Sequence, residues 1–322
     1  MSVSPRVLVT DAEERSALAA CRGLAAAGYD VSTTSSRPLA VGHWSRASSR
    51  RFSLPDPRAG ATVYAHRLAE LLDREPHDVL LPGSEASLLA ISAHRGLVEP
   101  ATALGLPTHE LVLRAMDKLL LQREAAAAGL AAPESAVCAD AAEAQEAAVR
   151  IGFPVVVKPS RSFTDDDGAL RKGMAHICAA DDAVEQAVGA LGAPVAVQRY
   201  HPEAEIVSCA GVRLPDRLVG LTLARYARTW PPEAGSASMA RTVEAPAELE
   251  AAVEELLRRI GWVGIFELEL LDLGEGRLAA IDLNPRVFGW LALAIAAGAN
   301  LPALWCDHVL GRPAPGAGVA RP

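Results

Sequence analysis

Two apolar segments near the C-terminal end of the chain carry acidic side chains where a strand would normally bury hydrophobic ones. The segments span residues 264–272 and 278–286, and the turn between them contains glycines. Because successive side chains of a strand point to opposite faces, Glu267 and Glu269 share one face. The second strand brings three more polar groups together: Asp282, Asn284 and Arg286. The pattern predicts a cluster of oxygen ligands that ends in a cation.

Buried carboxylates repel one another and lose hydration, so a fold normally excludes them unless a metal or a cationic partner lies between them. Oxygen ligands from Glu, Asp and Asn suit magnesium that bridges the phosphates of a nucleotide. Arg286 could then hold an anionic substrate or a transferring phosphoryl group. The alternative is a hairpin with one solvated face, on which Glu267 and Glu269 contact water. The Asp-Leu-Asn-Pro-Arg run favours the metal site, because its polar residues interrupt an apolar strand where the strand should end.

Composition limits the classes of protein that this chain can belong to. Its 322 residues are 50% hydrophobic, which is enough for a sizeable core divided into two or three subdomains. Charge or proline interrupts the apolar runs, and no signal-peptide core follows the N-terminus, so we expect a cytoplasmic protein without a membrane partner. A net charge of −8 argues against nucleic acid as a partner.

The N-terminal segment predicts the start of a parallel sheet. Apolar runs at 6–10 and 30–34 flank an amphipathic helix that Gly28 ends. No Gly-x-Gly-x-x-Gly motif follows the first run, which argues against a dinucleotide site. Asp11 and Glu14 are predicted to form a capping box for the helix.

Ser84 follows the short predicted strand at 78–82. A serine there is typical of a helix N-cap. The carboxyl end of a parallel strand is also where ligands enter such sheets, so both roles stay open.

Two polar positions in the middle of the chain have a chemical interpretation beside a structural one. Lys158 ends a β-branched strand before a proline, where it could reach nucleotide phosphates or simply lie at the surface. Residues 195–205 run from an apolar strand into a polar linker that could offer backbone groups to an adenine edge. Glu205 could accept hydrogen bonds from ribose hydroxyls.

Four elements, in their order along the chain, resemble the ATP-grasp superfamily between about residues 106 and 310. They are Asp117-Lys118, Lys158-Pro159, the run 198–205, and Glu269 with the run 282–286. Each is weak alone, and their shared order and spacing make the resemblance specific. The stretch 281–311 is also similar to the corresponding part of the carbamoyl phosphate synthetase large chain.

The resemblance implies an α/β ATP-grasp fold behind an N-terminal preATP-grasp, Rossmann-like α/β domain. The expected divisions are the preATP-grasp domain at 1–106, a central lobe with leading helices at 107–200, a C-terminal lobe at 201–311 and a flexible tail at 312–322. Nucleotide would lie between the two lobes.

The resemblance also implies roles for individual residues. Phosphate contacts would come from Lys118 and Lys158. The linker residues Gln198, Arg199, Tyr200 and His201 would bind adenine, and Glu205 the ribose. The implied magnesium ligands are Glu269, Asp282 and Asn284, with Glu267 as an alternative to Glu269. Arg286 would support the acyl phosphate or its attacking partner.

Three positions depart from the family pattern. Asp282 stands where glutamate is usual, Glu203 replaces a linker glycine, and the loop 160–168 is not glycine-rich. The loop could donate hydrogen bonds from Ser160, Arg161, Ser162 and Thr164, with its three aspartates facing solvent or the amine substrate. The interpretation we favour is a lid that orders when nucleotide binds.

The segment 228–243 is predicted to be a loop between a strand and a helix. Its Ser236, Ser238 and Arg241 are candidates to bind a substrate carboxylate, and a surface loop with a capping serine is the alternative. Trp230 and Trp290 could line a substrate pocket or pack in the core.

The expected activity is that of an ADP-forming acid–amino acid ligase. ATP and magnesium, with manganese as an alternative metal, would drive amide or peptide bond formation between a small-molecule carboxylate and an amine through an acyl phosphate. Two other functions stay open: a carbamoyl- or carboxyphosphate-forming synthetase, and a non-catalytic ATP-binding regulatory protein. A homodimer that forms through the N-terminal half of the chain is a possible assembly.

Overall fold

The computed structural model describes residues 4–166, 169–231 and 235–313. The expected flexible tail falls mostly on residues 314–322, which lie outside this part of the chain. None of the described helices is both long and apolar enough to cross a membrane.

The N-terminal domain is built on a four-stranded parallel sheet with the order β3-β2-β1-β4. Its strands are β1 (Arg6–Val9), β2 (Asp30–Ser35), β3 (Arg50–Ser53) and β4 (Val79–Leu81). Its helices are α1 (Arg15–Ala26), α2 (Ala61–Arg74), α3 (Glu85–Ala93) and α4 (Arg95–Val98), and a 3-10 turn spans Val41–Trp44. Helices cover both faces, because Val7 and Val9 belong to one hydrophobic core and Leu8 to another. The predicted βαβ start is therefore confirmed.

The strand order makes a topological switch point between β1 and β4. The chain leaves β1 toward β2 and β3 on one side, and then returns to place β4 on the other side. Loops at the carboxyl ends of two such strands diverge and leave a crevice that binds ligands in α/β proteins. The crevice here lies between Asp11, after β1, and Gly83, after β4.

Gly83 makes this crevice possible, because its backbone packs against the end of β1. A Cβ at this position would overlap the carbonyl oxygen of Thr10 and come within 3.1 Å of the Ala17 Cβ. We expect Gly83→Ala to lower the free energy of unfolding by roughly 1–3 kcal/mol. Urea denaturation measures this, with Gly96→Ala as the matched control, since nothing lies within 4 Å of a Cβ there. Equal stabilities of the two variants would contradict the prediction.

The middle of the chain forms a small lobe with an antiparallel sheet of order β5-β10-β6-β9. The helices α5 (His109–Ala115) and α6 (Lys118–Ala127) lead into it. The lobe contains β5 (Ser135–Cys138), α7 (Ala141–Ile151), β6 (Val155–Pro159), β9 (His176–Cys178), α8 (Asp181–Leu191) and β10 (Val195–Arg199). Its core is formed by valines of β6 and β10 against alanines of α7 and α8.

The predicted lid forms an antiparallel hairpin of β7 (Phe163–Asp166) and β8 (Ala169–Lys172). The Leu170 amide donates to the Arg58 carbonyl over 2.9 Å, so the hairpin contacts the N-terminal domain. Asp167 and Gly168 lie outside the described residues, as do the side chains of Thr164, Asp165 and Asp166, so the predicted donor and aspartate roles there stay predictions.

The C-terminal lobe is a five-stranded antiparallel sheet of order β13-β12-β11-β14-β15. Its elements are β11 (Glu205–Arg213), β12 (Leu218–Trp230), β13 (Ser236–Val243), α9 (Ala247–Ile260), β14 (Gly264–Asp272), β15 (Leu278–Asn284), α10 (Leu291–Ala296) and α11 (Leu301–Val309). Leu268 and Leu270 of β14 share a buried core with Leu256 of α9, so Glu267 and Glu269 point to the opposite face.

The segment 228–243, predicted to be a loop, is mostly strand. β12 continues to Trp230, and β13 begins at Ser236. The two strands pair from Trp230 opposite Ser236 to Leu223 opposite Val243. The prediction was wrong because serine, alanine and arginine give no clear alternation. The backbone is ordered here by pairing with β12, which local sequence does not reveal.

The N-terminal domain and the C-terminal lobe share one hydrophobic core, which includes Val7 and Leu24 of the first and Phe288 and Trp305 of the second. Two hydrogen bonds cross the same boundary: the Asn300 side chain donates to the Gly23 carbonyl over 2.8 Å, and the Tyr29 hydroxyl donates to Asp307 over 2.6 Å. The crevice of the parallel sheet is thereby held against the polar face of β14 and β15.

Candidate functional site

The acidic side chains of the C-terminal hairpin form a cluster on one face of the sheet. Glu267 is the cross-strand partner of Asn284, and Glu269 that of Asp282. Lys118, at the start of α6, contacts the cluster through its ammonium, 2.7 Å from Asp282 Oδ1. The predicted cluster of oxygen donors beside a cation is therefore present, with Lys118 as an additional cation.

Glu267 and Glu269 differ in how their oxygens are used. Glu267 Oε1 accepts hydrogen bonds from Ser208 Oγ and the Tyr226 hydroxyl over 3.2 and 3.1 Å, and its Oε2 accepts from the Asn284 amide over 3.1 Å. Glu269 accepts one from the Tyr226 hydroxyl over 3.0 Å. Neutral donors thus surround Glu267, whereas Glu269 faces Asp282 and Lys118.

Burial dominates the electrostatics of both carboxyls. It raises the pKa of Glu267, and it raises the pKa of Glu269 to about 8, with Glu267 and Asp282 adding to the shift. A carboxyl that is costly to ionise gains strongly from a cation brought to it. The cluster therefore favours binding of positive charge beyond that of Lys118.

The donor set of this cluster suits a hard cation only in part. Among the described residues, no three acidic, histidine or cysteine side chains converge closely enough to hold a metal ion. Glu269 and Asp282 supply two carboxylates and Asn284 an amide, and magnesium is commonly held by one or two carboxylates together with substrate phosphates. The residues present fit magnesium that arrives with a nucleotide.

Arg286 lies beside the cluster with its guanidinium fixed by hydrogen bonds. Nη2 donates to Asn284 Oδ1 over 3.0 Å and Nη1 to the Val287 carbonyl over 2.9 Å, while the buried Nε has no hydrogen-bond partner among the described residues. The Glu85 carboxylate is 3.8 Å from Nη2. The guanidinium is therefore held between the hairpin and the N-terminal domain.

Glu85 is a residue that sequence reasoning missed. It begins α3 directly after Ser84, which caps the helix by accepting from the Ser87 amide over 3.1 Å. Burial raises the pKa of Glu85, and Arg286 opposes that shift. The N-cap role of Ser84 is confirmed, and Ser84 and Glu85 also line the cleft, so a ligand contact of Ser84 stays a prediction.

Lys158 is buried, and its ammonium donates to the Ile281 carbonyl over 3.4 Å. The pKa of Lys158 falls to about 7, chiefly because of burial and also because of the nearby Lys118, while Asp282 opposes the shift. An uncompensated buried amine near another cation favours binding of an anion.

The predicted adenine and ribose residues lie apart from the acidic cluster. The Gln198 side chain is buried and accepts from the Gln122 amide over 3.0 Å, and Arg199 pairs with Glu134 at 2.7 Å. Tyr200 and His201 are half-buried, whereas Glu205 is exposed and forms an ion pair with Arg225. Ser160 contacts Lys118 through its backbone, since its carbonyl accepts from the Lys118 amide over 2.9 Å.

The proposed carboxylate-binding trio 236, 238 and 241 does not converge, and this corrects the expectation. Arg241 is the cross-strand partner of Arg225, on the face opposite Tyr226 and the acidic cluster, and it is exposed. Ser238 bonds with Arg228 instead. Ser236 does line the cleft. The predicted loop would have left these side chains free to converge, whereas the strand places Arg241 on the opposite face and Ser238 beside Arg228.

A cleft of about 520 Å³ joins the crevice of the N-terminal domain to the acidic cluster. The N-terminal wall carries mostly acidic side chains: Asp11, Glu13, Glu14 and Glu85, with Arg15.

Asp11 does not cap α1 as predicted. Its backbone adopts a left-handed φ of 57°, its buried carboxylate accepts from Thr10 and Ser87, and Glu14 occupies the N-cap without a side-chain bond.

Sequence comparison identifies relatives over about half of the chain, although no family model matches. The carbamoyl phosphate synthase large chain of Rubrobacter xylanophilus is 30% identical over 166 residues, which are 48% of this chain and 14% of that protein. That of Archaeoglobus fulgidus is 29% identical over 161 residues, 47% of this chain and 14% of the relative. The chain thus spans a small part of the length of these relatives.

Solved structures resemble the whole fold. The biotin carboxylase domain of Hydrogenobacter thermophilus 2-oxoglutarate carboxylase, solved with MgADP, ADP and bicarbonate, matches with a TM-score of 0.69 and 15% identity over 97% of this chain and 71% of that one. N5-carboxyaminoimidazole synthetase from Staphylococcus aureus matches with a TM-score of 0.69 and 12% identity, over 98% of this chain and 79% of the synthetase chain. The chain therefore has the ATP-grasp fold behind an N-terminal α/β domain, and about half of its sequence is similar to carbamoyl phosphate synthase large chains.

Proposed function

We propose that this protein is an ATP-dependent ligase that joins a small-molecule carboxylate to an amine, forming an amide or peptide bond and releasing ADP and phosphate. The observation that carries the proposal is the convergence of two cations, Lys118 and Arg286, with the acidic pair Glu269 and Asp282 at the inner end of one cleft. Such an arrangement can hold a nucleotide phosphate, its metal and an anionic acceptor together.

ATP and magnesium are the proposed cosubstrate and metal, with manganese as an alternative. Lys118 and Lys158 would contact phosphates, and Asp282, Asn284 and Glu269 would be the metal ligands. Glu269 is favoured over Glu267 because it accepts one hydrogen bond where Glu267 accepts three. The metal would offset negative charge on the transferring group.

The proposed reaction has two steps. A carboxylate oxygen of the acid attacks the γ-phosphorus of ATP, the bond to the β–γ bridging oxygen breaks, and ADP leaves. The nitrogen lone pair of the amine then attacks the acyl carbon, phosphate departs with the bonding electrons, and the nitrogen loses a proton. Arg286 would hold the phosphate through both steps, because its guanidinium is already oriented by Asn284 and Val287.

Binding of adenine by residues 198–201 and of ribose by Glu205 remains part of the proposal. Since Gln198 and Arg199 use their side chains elsewhere, adenine would contact the backbone of the linker. Glu205 would have to release Arg225 before it could accept from ribose. A direct role of Arg241 in substrate binding has no support from its position.

A carboxyphosphate- or carbamoyl phosphate-forming synthetase is the second candidate, and the homology to carbamoyl phosphate synthase favours it. A cleft of about 520 Å³ favours a larger acid than bicarbonate. A regulatory protein that binds ATP without turnover is the third candidate.

We expect ADP and phosphate release from MgATP to depend on which acid and amine are supplied. The measurement is a coupled assay of ADP over pairs of amino acids, with mass spectrometry of the products. Release with bicarbonate alone would favour the second candidate, and ATP binding without release for any pair would favour the third. AMP and pyrophosphate as products would overturn the acyl phosphate mechanism.

A further inference from the structure

The mouth of the cleft carries apolar side chains that contrast with its charged interior. Trp230, at the end of β12, is 72% exposed and lines the cleft. Met174, which follows β8, is 52% exposed and lines it too, as does the half-buried Phe163. These side chains come from two separate hairpins, so the apolar rim is formed by the fold and not by one stretch of sequence.

The two tryptophans singled out by composition differ in their surroundings. Trp290 is buried, its ring centroid lies 4.7 Å from that of Phe288, and its indole donates to Ser208 Oγ over 3.1 Å. Trp230 presents most of its surface to solvent. An exposed large aromatic at the entrance of a cleft is a feature of binding sites, because its burial by a ligand is strongly favourable.

The rim and the acidic cluster are too far apart for a very small ligand to contact both. Trp230 lies four residues beyond Tyr226 on the same strand, or roughly 13 Å along it. The Tyr226 hydroxyl lies within hydrogen-bond distance of both Glu267 and Glu269, at 3.1 and 3.0 Å. A molecule that reacts near this cluster and also contacts Trp230 must therefore extend well beyond the size of ammonia or bicarbonate.

The charge of the N-terminal wall of the cleft indicates whether the amine or the acid substrate binds beside it. Asp56 and Arg58 pair with each other at 2.8 Å, and Glu85 faces Arg286 at 3.8 Å, which leaves Glu13 and Glu14 against Arg15. Two carboxylates against one guanidinium give this wall a negative potential. Such a wall favours a protonated amine over an acid.

We propose that the amine substrate carries a bulky apolar or aromatic group, which packs against Trp230 and Met174 at the cleft mouth while its amino group lies toward the acidic wall. The proposal rests on the proposed amide ligase function and adds a substrate class to it. Glycine-like amines would lack the contact with Trp230 and bind weakly.

A fluorescence experiment tests the contact without requiring turnover. Trp44 and Trp230 are exposed, whereas Trp262, Trp290 and Trp305 are buried. In a Trp44→Phe protein, quenching by acrylamide therefore reports mainly on Trp230. We expect L-phenylalanine and L-leucine to protect Trp230 from quenching in the presence of magnesium and a non-hydrolysable ATP analogue, and glycine not to. Absence of protection by both apolar amino acids would overturn the proposal.

A kinetic experiment tests selectivity. Trp230→Ala should raise the KM for L-phenylalanine as the amine about tenfold, the loss of roughly 1.4 kcal/mol of contact, and change that for glycine less than twofold. Trp44→Ala, the matched control at the other exposed tryptophan, should leave both values unchanged. Equal effects of Trp230→Ala on the two amines would overturn the proposal while leaving the ligase function intact. Protection of Trp230 without ADP release from any pair would instead retain the apolar subsite and overturn the ligase.

Discussion

Arg286→Ala should lower kcat for amide formation by about two to three orders of magnitude. Removing one preorganised group that stabilises developing charge typically costs this much, roughly 3–4 kcal/mol of transition-state stabilisation. The guanidinium is held by Asn284 Oδ1 and the Val287 carbonyl at 3.0 and 2.9 Å, so it needs no reorganisation during the reaction. Steady-state ADP release at saturating ATP measures the effect.

The conservative variant Arg286→Lys should recover little of this loss. A lysine supplies charge but cannot donate to Asn284 and Val287 while also facing a phosphate. Arg277→Ala is the matched control, because Arg277 is exposed at the turn of the same hairpin. ATP affinity, measured by calorimetry, should change little in all three variants. A kcat within threefold of the wild type for Arg286→Ala would contradict the role assigned to this residue.

Glu85→Gln tests whether the N-terminal domain orients Arg286. The carboxylate is 3.8 Å from Nη2, and glutamine keeps the shape while removing the charge. We expect kcat to fall about three- to tenfold with the KM for ATP unchanged, since Glu85 acts through Arg286 and not on nucleotide. In the Arg286→Ala background the same change should have no further effect. Additive losses would mean that Glu85 contacts a substrate directly.

The acidic hairpin was predictable because strand alternation is local. Residues two apart on β14 must share a face, so Glu267 and Glu269 could be placed together from sequence. The polar run that begins at the end of β15 then located Asp282 and Arg286 at the same end of the sheet. The βαβ start of the chain followed from the same kind of local periodicity, and the fold class followed from the order of the motifs.

Contacts between distant segments were not predictable in the same way. Glu85 approaches Arg286 only because β4 lies beside β1 at the switch point and the N-terminal core is continuous with α10 and α11. Lys118 bonds to Asp282 across a sequence separation that no local pattern records. Arg241 was misjudged because a strand was interpreted as a loop. The ion pair of Glu205 with Arg225 was not predictable, because Arg225 lies on a neighbouring strand.

Glu269→Gln should abolish turnover and yet raise the stability of the protein at alkaline pH. Turnover should be lost because a proposed metal ligand loses its charge. Stability should rise because the wild-type carboxyl is costly to ionise where it lies, between Glu267 and Asp282. A gain of stability together with a loss of activity is the signature of a group retained for function.

The sign of the pH dependence follows from the two pKa values of Glu269. Its folded pKa is about 8 and its ordinary value is 4.5, so between these values the folded protein binds more protons than the unfolded chain. The free energy of unfolding therefore falls as pH rises through this window, by at most about 1.4 kcal/mol per pH unit. The contribution is fully present below pH 4.5 and lost above about 8.

The stabilities of the wild type and Glu269→Gln are best compared between pH 5 and 6.5, because at higher pH Lys158 changes the free energy of unfolding in the opposite direction. Its folded pKa of about 7 lies below its ordinary value of 10.5, so stability rises with pH between those values. Chemical denaturation of the protein without nucleotide should give a shallower fall in stability over pH 5–6.5 for Glu269→Gln than for the wild type. Glu275→Gln, an exposed residue in the turn of the same hairpin, should follow the wild-type profile. If Glu269→Gln also followed the wild-type profile, Glu269 would be ionised in the folded protein throughout this range. The inference that Glu269 is a metal ligand whose charge is costly without the metal would then fail.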